Sequence, residues 1–215
     1  MLELTSPSSL SSPSSPLHGY YLQYGPCHVV PEGGSNLLGV CGCSETLASE
    51  RERNHHIVAV ACGTGATLAG LAASADAGQQ IVIGFPVLKG GGFLRDEAKA
   101  LLLQGLGGLP SSSDNGMQLY LDAHCGGYAK VNPRLIAFMR RFHGTTGVKL
   151  DPIYTAKLLL GIYDMAEARL LHECARHHLP GACAESQAVV NVLAVHTGGL
   201  QGLKGVEDMI GEKIF

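Results

Sequence analysis

The stretch Ile57-Val58-Ala59-Val60-Ala61-Cys62-Gly63-Thr64-Gly65-Ala66-Thr67-Leu68-Ala69-Gly70 constrains this chain more than any other. Its first six residues are apolar and rich in β-branched side chains, which reads as a short buried strand. Gly63-Thr64-Gly65-Ala66 is a turn almost bare of side chains. Thr67 to Ala75 is small and apolar, with Gly70 as its one breaker, and reads as a helix packed close to a sheet. A strand that enters a helix through such a turn aims several backbone N–H groups at one point, beside the positive end of the helix. That arrangement suits an anion such as phosphate. Thr64 and Thr67 would add hydroxyl donors. The same residues also suit a tight turn selected for packing alone.

A second buried strand, Gln80 to Phe85, follows the helix. Strand, helix and strand at this spacing form a βαβ unit, so the sheet is expected to be parallel. Phe93 to Gln104 reads as an amphipathic helix with Arg95, Asp96, Glu97 and Lys99 facing solvent. Met117 to Ala123 alternates like a strand and runs into the Gly-rich loop His124-Cys125-Gly126-Gly127-Tyr128. Asn132-Pro133 caps a helix that runs to about His143. Asp151-Pro152 repeats that device, with Asp151 as N-cap and Pro152 as first helical residue. Val189 to Val195 is a last buried strand, ending in His196-Thr197-Gly198-Gly199. The fold class is therefore α/β, an open, mainly parallel sheet with helices on both faces. Ligands of such sheets sit at the carboxyl ends of the strands, so the loops beginning at Gly63, His124 and His196 should line one face.

Composition narrows the partners. The net charge is −3 and no Lys/Arg run is present, which argues against nucleic acid or an anionic membrane surface as partner. No apolar run is long enough to span a bilayer. The opening Met1 to Pro16 is nearly all Ser, Pro and Leu and lacks the charged and apolar regions of a secretory leader. It is expected to be disordered, with residues 1–19 outside the folded domain. Seven cysteines in 215 residues fit reduced thiols in a cytoplasmic protein better than a disulfide framework.

Two other chemistries compete. A dinucleotide site would need a glycine where Leu68 stands and an acidic residue after the second strand, where Gly84-Phe85-Pro86 stands. His172, Cys174, His177, His178 and Cys183 lie near one another, but His172 and Cys174 do not share a helix face and no Cys-x2-Cys pair is present. A solvated, His-rich helix end accounts for them better. Cys62, at a strand end, reads as a packed small residue rather than a nucleophile.

Pro31-Glu32-Gly33-Gly34-Ser35-Asn36, Ala61 to Gly70, Leu150-Asp151-Pro152-Ile153-Tyr154-Thr155-Ala156-Lys157 and His196-Thr197-Gly198-Gly199 occur in that order. Together they resemble the 1-aminocyclopropane-1-carboxylate deaminase/D-cysteine desulfhydrase family, over roughly Tyr20 to Lys204. The resemblance implies a pyridoxal 5′-phosphate enzyme of the tryptophan-synthase-β-like fold (fold type II), with residues 20–215 as its large domain. It implies that Gly63, Thr64, Gly65, Ala66 and Thr67 hold the cofactor phosphate. Thr155 would face the pyridine nitrogen, Thr197 would lie near the ring, and Tyr154 and Tyr128 would be the catalytic phenols. Family members that act as deaminases carry Glu where Thr155 stands. A hydroxyl keeps the ring nitrogen protonated less well than a carboxylate, so the likeness leans toward the desulfhydrase-like members.

One part of the family pattern is missing. The Schiff-base lysine, in a Ser-Gly-Asn-Lys-like motif, and a following Ser-Asn-His-like segment do not occur, and the Ser/Pro head stands in their place. Lys157 follows Tyr154-Thr155-Ala156, but its family counterpart is not that lysine. The sequence therefore predicts a lyase or deaminase that is truncated at its N-terminus, has lost most of its small domain and is impaired in catalysis. A non-catalytic cofactor- or phosphate-binding remnant is the alternative. The expected partners are a small amino-acid substrate and, in the complete protein, a second copy of the chain.

Overall fold

The computed structural model describes residues 14, 18–26, 30–48, 54–106, 116–180 and 189–215. Most of the Ser/Pro head and the segments 107–115 and 181–188, the latter with Cys183, lie outside the described residues.

The apolar run Ile57 to Cys62 does form a strand, β1 (Ile57–Cys62), buried at all six positions. It pairs in parallel with β2 (Ile81–Pro86) along its whole length, from Ile57 opposite Ile81 to Cys62 opposite Pro86. β3 (Met117–Leu119) adds to the far side of β2 and β4 (Val192–Ala194) to the far side of β1, both parallel. The order is β3-β2-β1-β4. A strand with partners on both edges and helices over both faces has no polar side to offer, which is why β1 reads as continuous rather than alternating hydrophobicity.

Successive β1 side chains still go to opposite faces. Val58, Val60 and Cys62 pack with α2 (Leu37–Ser44), α3 (Ala66–Ser74) and α4 (Leu94–Leu106). Ile57, Ala59 and Ala61 pack with α6 (Thr155–Glu167) and α7 (Leu170–His178). A third core joins α5 (Pro133–Thr146), α6 and α8 (Leu203–Ile210) through Leu135, Met139, Leu160 and Val206. A short helix, α1 (His18–Tyr24), precedes these elements. α3 approaches α2 very closely at Gly70, where a Cβ would meet Cys43 and lie 2.7 Å from the Val40 carbonyl. The glycine that weakens the helix by propensity is therefore the one that lets the two helices touch.

Three boundaries differ from the sequence reading. The expected strand Met117 to Ala123 stops at Leu119, because it pairs with only three β2 residues before the chain coils into a one-turn helix at Leu121–His124. The expected strand Val189 to Val195 shrinks to Val192–Ala194, the part that reaches Ile57–Ala59 of β1. Pro152 is not the first helical residue. Asp151 gathers the N–H groups of Ile153, Tyr154 and Thr155 on its carboxylate, and regular helix begins at Thr155.

Candidate active site

The carboxyl end of β1 opens into a cavity of about 330 Å³, within the roughly 300–1,000 Å³ common for small-ligand pockets. Its wall includes Gly63, Thr64, Gly65, Ala66, Thr67, Tyr128, Tyr154 and Thr197. The three loops expected to share one face do so.

The floor is the turn after β1. Gly65 takes φ +90°, a left-handed conformation that favours glycine, and turns the chain into α3. No side chain caps that helix. Its first N–H groups have no intrahelical acceptor, and the residues carrying them line the cavity. A Cβ on Gly63 would stand 3.3 Å from the Tyr154 ring, so the bare backbone is part of the cavity's shape. The Thr67 hydroxyl is 3.8 Å from the Cys43 thiol. An uncapped helix N-terminus, two glycines and two threonine hydroxyls form a donor set that fits a phosphate monoester.

Two phenols stand on another wall. The Tyr128 and Tyr154 rings meet edge to face at 6.2 Å, with their hydroxyls 3.4 Å apart. Burial, and then the Tyr128 hydroxyl beside it, hold the Tyr154 phenol above the usual phenol range. It therefore keeps its proton at neutral pH. Asp151 anchors its backbone from behind the wall. This carboxylate is 1% exposed and also accepts the Thr155 hydroxyl at 2.7 Å. Thr155 itself is buried, engaged with Asp151 and not among the residues lining the cavity. Thr197 does line it.

The two remaining loops are built alike. His124 Nδ1 accepts the Gly126 N–H at 2.9 Å, and His196 Nδ1 accepts the Gly198 N–H at 3.2 Å. In each the imidazole closes the turn that presents a cavity residue, Tyr128 or Thr197. The other His196 nitrogen faces the Lys149 carbonyl at 3.1 Å, so His196 is a loop strut.

Several wall residues carried no assigned role in the sequence. Glu32 and Gly33 line the cavity. Gly33, at φ +66°, packs on Thr64, whose Cγ2 would lie 2.9 Å from a Cβ there. Its signal was the adjacent pair Gly33-Gly34. Asn36, the last residue of that motif, is the N-cap of α2 and accepts the Gly39 N–H at 2.9 Å. Cys62 is almost wholly buried at the edge of the cavity; burial pushes its thiol up to about 12, the behaviour of a packed residue. Among the described residues no three His, Cys, Asp or Glu side chains are grouped to hold a metal ion, and no helix is long and apolar enough to cross a membrane.

No protein-family model matches the chain. It is 30% identical over 186 residues to the bifunctional D-cysteine desulfhydrase/1-aminocyclopropane-1-carboxylate deaminase of Arabidopsis thaliana, covering 82% of this chain and 42% of that one. It is 29% identical over 184 residues to the D-cysteine desulfhydrase of Klebsiella pneumoniae, covering 82% and 51%. A crystal structure of a 1-aminocyclopropane-1-carboxylate deaminase homologue superposes with a TM-score of 0.70 at 23% identity, over 90% of this chain and 55% of that one. The chain spans about half the length of the curated relatives it matches. The chain is thus a relative, in sequence and in its open parallel α/β fold, of the 1-aminocyclopropane-1-carboxylate deaminase/D-cysteine desulfhydrase family.

Proposed function

We propose that the cavity binds pyridoxal 5′-phosphate and serves lyase or deaminase chemistry of the D-cysteine desulfhydrase type. An amino acid would be converted to a keto acid and ammonia, with sulfide released when the substrate is D-cysteine. The observation that carries this reading is the uncapped N-terminus of α3, open to a cavity that two touching phenols also line. Residues 20–215 would be the large, phosphate-binding domain. A homodimer and a cytoplasmic setting, where the free thiols Cys41, Cys43, Cys62, Cys125 and Cys174 stay reduced, belong to the same proposal.

When bound, the cofactor supplies a conjugated ring that takes up negative charge released at the substrate α-carbon. The chain's own residues do the rest. The N–H groups from Gly63 to Thr67, with the Thr64 and Thr67 hydroxyls, would hold the phosphate. Tyr154 would keep a proton on its Oη for transfer near the substrate, with Tyr128 Oη as its neighbour. Thr197 would border the ring. Thr155, whose hydroxyl bonds to Asp151 and does not line the cavity, would act only from behind the wall that carries Tyr154.

One observation favours a second reading, a non-catalytic cofactor-binding remnant. Among the described residues lining the cavity none is a lysine. Titration with pyridoxal phosphate, followed by borohydride reduction and peptide mass mapping, separates the two. Cofactor fixed to one lysine, with sulfide released from D-cysteine, supports the enzyme. Reversible binding with nothing fixed supports the remnant. Failure to bind while inorganic phosphate does would sink both.

A further inference from the structure

Lys157 is the largest polar side chain buried in this molecule's described residues, at 0% exposure. It lies one helical turn past Tyr154, on the stretch of α6 packed against the sheet end. Its ammonium nitrogen is 2.7 Å from the Gly127 carbonyl and 3.3 Å from the Val87 carbonyl. Neither acceptor lines the cavity, but each adjoins a residue that does, Cys62 or Tyr128. Val87 follows β2 and donates its N–H to the Cys62 carbonyl at 3.0 Å, next to the Gly63 turn. Gly127, at φ +130°, immediately precedes Tyr128. One side chain thus ties the helix that begins beside Tyr154, the loop that carries Tyr128 and the end of the strand next to β1.

Removing a lysine from water is unfavourable, and burial holds this one below the ordinary lysine range. Such a side chain is retained where its donors hold something that an apolar residue would not. A methionine would fill the same volume and leave both carbonyls without this donor. The reach of the side chain is also specific. It ends on the Gly127 carbonyl, in the peptide that leads directly into Tyr128.

We propose that Lys157 is a positioning residue that holds Tyr128 against Tyr154. It rests on the reading of the two phenols as the working end of the site, but its first test needs no cofactor. In chain labelled with fluorotyrosine, the Tyr128 and Tyr154 fluorine signals are assigned by their loss in Tyr128→Phe and Tyr154→Phe. Lys157→Met is expected to move both signals and to leave those of Tyr120 and Tyr163 in place. A Tyr128→Ala background, which removes the ring that meets Tyr154, should then abolish the effect on Tyr154, because Lys157 acts through Tyr128. Lys157→Gln, which keeps two N–H donors on a shorter stem, should restore part of the native shifts. Affinity for pyridoxal phosphate should fall about tenfold in Lys157→Met, the equivalent of one net hydrogen bond, while affinity for inorganic phosphate stays unchanged.

Unmoved Tyr128 and Tyr154 signals in a folded Lys157→Met chain would overturn the proposal. So would equal movement of Tyr163, which would mark a general loosening of α6. A chain that folds with neither Met nor Gln at 157 would make the lysine a requirement of the fold and overturn it as well. If wild-type chain binds no pyridoxal phosphate but the fluorine signals respond as expected, the cofactor reading fails and the positioning role stands.

Discussion

Asp151→Ala removes a side chain whose two oxygens accept four hydrogen bonds. Ile153 and Tyr154 N–H groups reach Oδ1 at 2.9 and 2.8 Å; the Thr155 N–H and hydroxyl reach Oδ2, each at 2.7 Å. Loss of a helix-entry acceptor costs about 0.5–2 kcal/mol. A buried donor left without an acceptor costs about 1–3 kcal/mol. These penalties do not add fourfold. Water can enter the space left by the carboxylate, and the Thr155 hydroxyl keeps the Asp151 main-chain oxygen at 3.4 Å. The expected loss is about 3–4 kcal/mol, a large share of the roughly 5–15 kcal/mol that holds a domain folded. Asp151→Asn keeps Oδ1 but turns an NH2 group toward the Thr155 donors, so about half that loss is expected. Urea unfolding followed by circular dichroism gives both values from the midpoint at constant slope. A loss below about 1 kcal/mol in Asp151→Ala would refute the view that this carboxylate holds the start of α6.

Gly65→Ala places a Cβ at φ +90° and should cost about 1–2 kcal/mol of strain, with pyridoxal-phosphate affinity falling more than about tenfold; absorbance titration reads this, and unchanged affinity would remove the turn from the site. Gly70→Leu drives side-chain atoms into Cys43 and the Val40 carbonyl and should destabilise by about 1–3 kcal/mol or more, measured by thermal unfolding. Tyr154→Phe should leave cofactor affinity nearly intact and lower sulfide release from D-cysteine by about a hundredfold or more; equal turnover would return Tyr154 to a packing role. Cys62 has a folded value of about 12 against 9.0 when unfolded, so its contribution is complete below pH 9.0 and is lost as pH rises toward 12. Lys157 has the opposite sign: its folded value lies below 10.5, and stability rises as pH climbs through that window toward 10.5. Unfolding scans of Cys62→Ala should accordingly lose part of the alkaline decline of the wild-type chain.

The sheet and the Gly-rich turn after β1 were legible because their causes are local. β1 announces itself by a run of β-branched residues, and the turn by having almost no side chains. The convergence of three loops also followed, since parallel strands place their carboxyl ends together. What escaped the sequence depends on distance. Met117 to Ala123 alternates well enough for a longer strand, but β2 offers it only Val82 to Gly84. Asp151 and Pro152 look like a cap and a first turn, yet the carboxylate also holds the N–H of Thr155, four residues on, where regular helix begins. Lys157 reads as one cation on a helix and gives no sign of 0% exposure, because its two acceptors lie 70 and 30 residues away. Glu32 and Gly33 sit on the cavity wall only because α2 packs its loop against Thr64, a contact between distant segments.

The imidazole-closed turns have a consequence for how such a site can change. Each is written in three consecutive residues, His124-Cys125-Gly126 and His196-Thr197-Gly198, and each closes on itself through one ring nitrogen. Cavity residues in or just beyond these frames can be exchanged without redrawing the turn that presents them. Selectivity and scaffold are thereby separable in this half of the wall. In the α3 turn they are not, since there the backbone that would touch the ligand is also the joint between strand and helix.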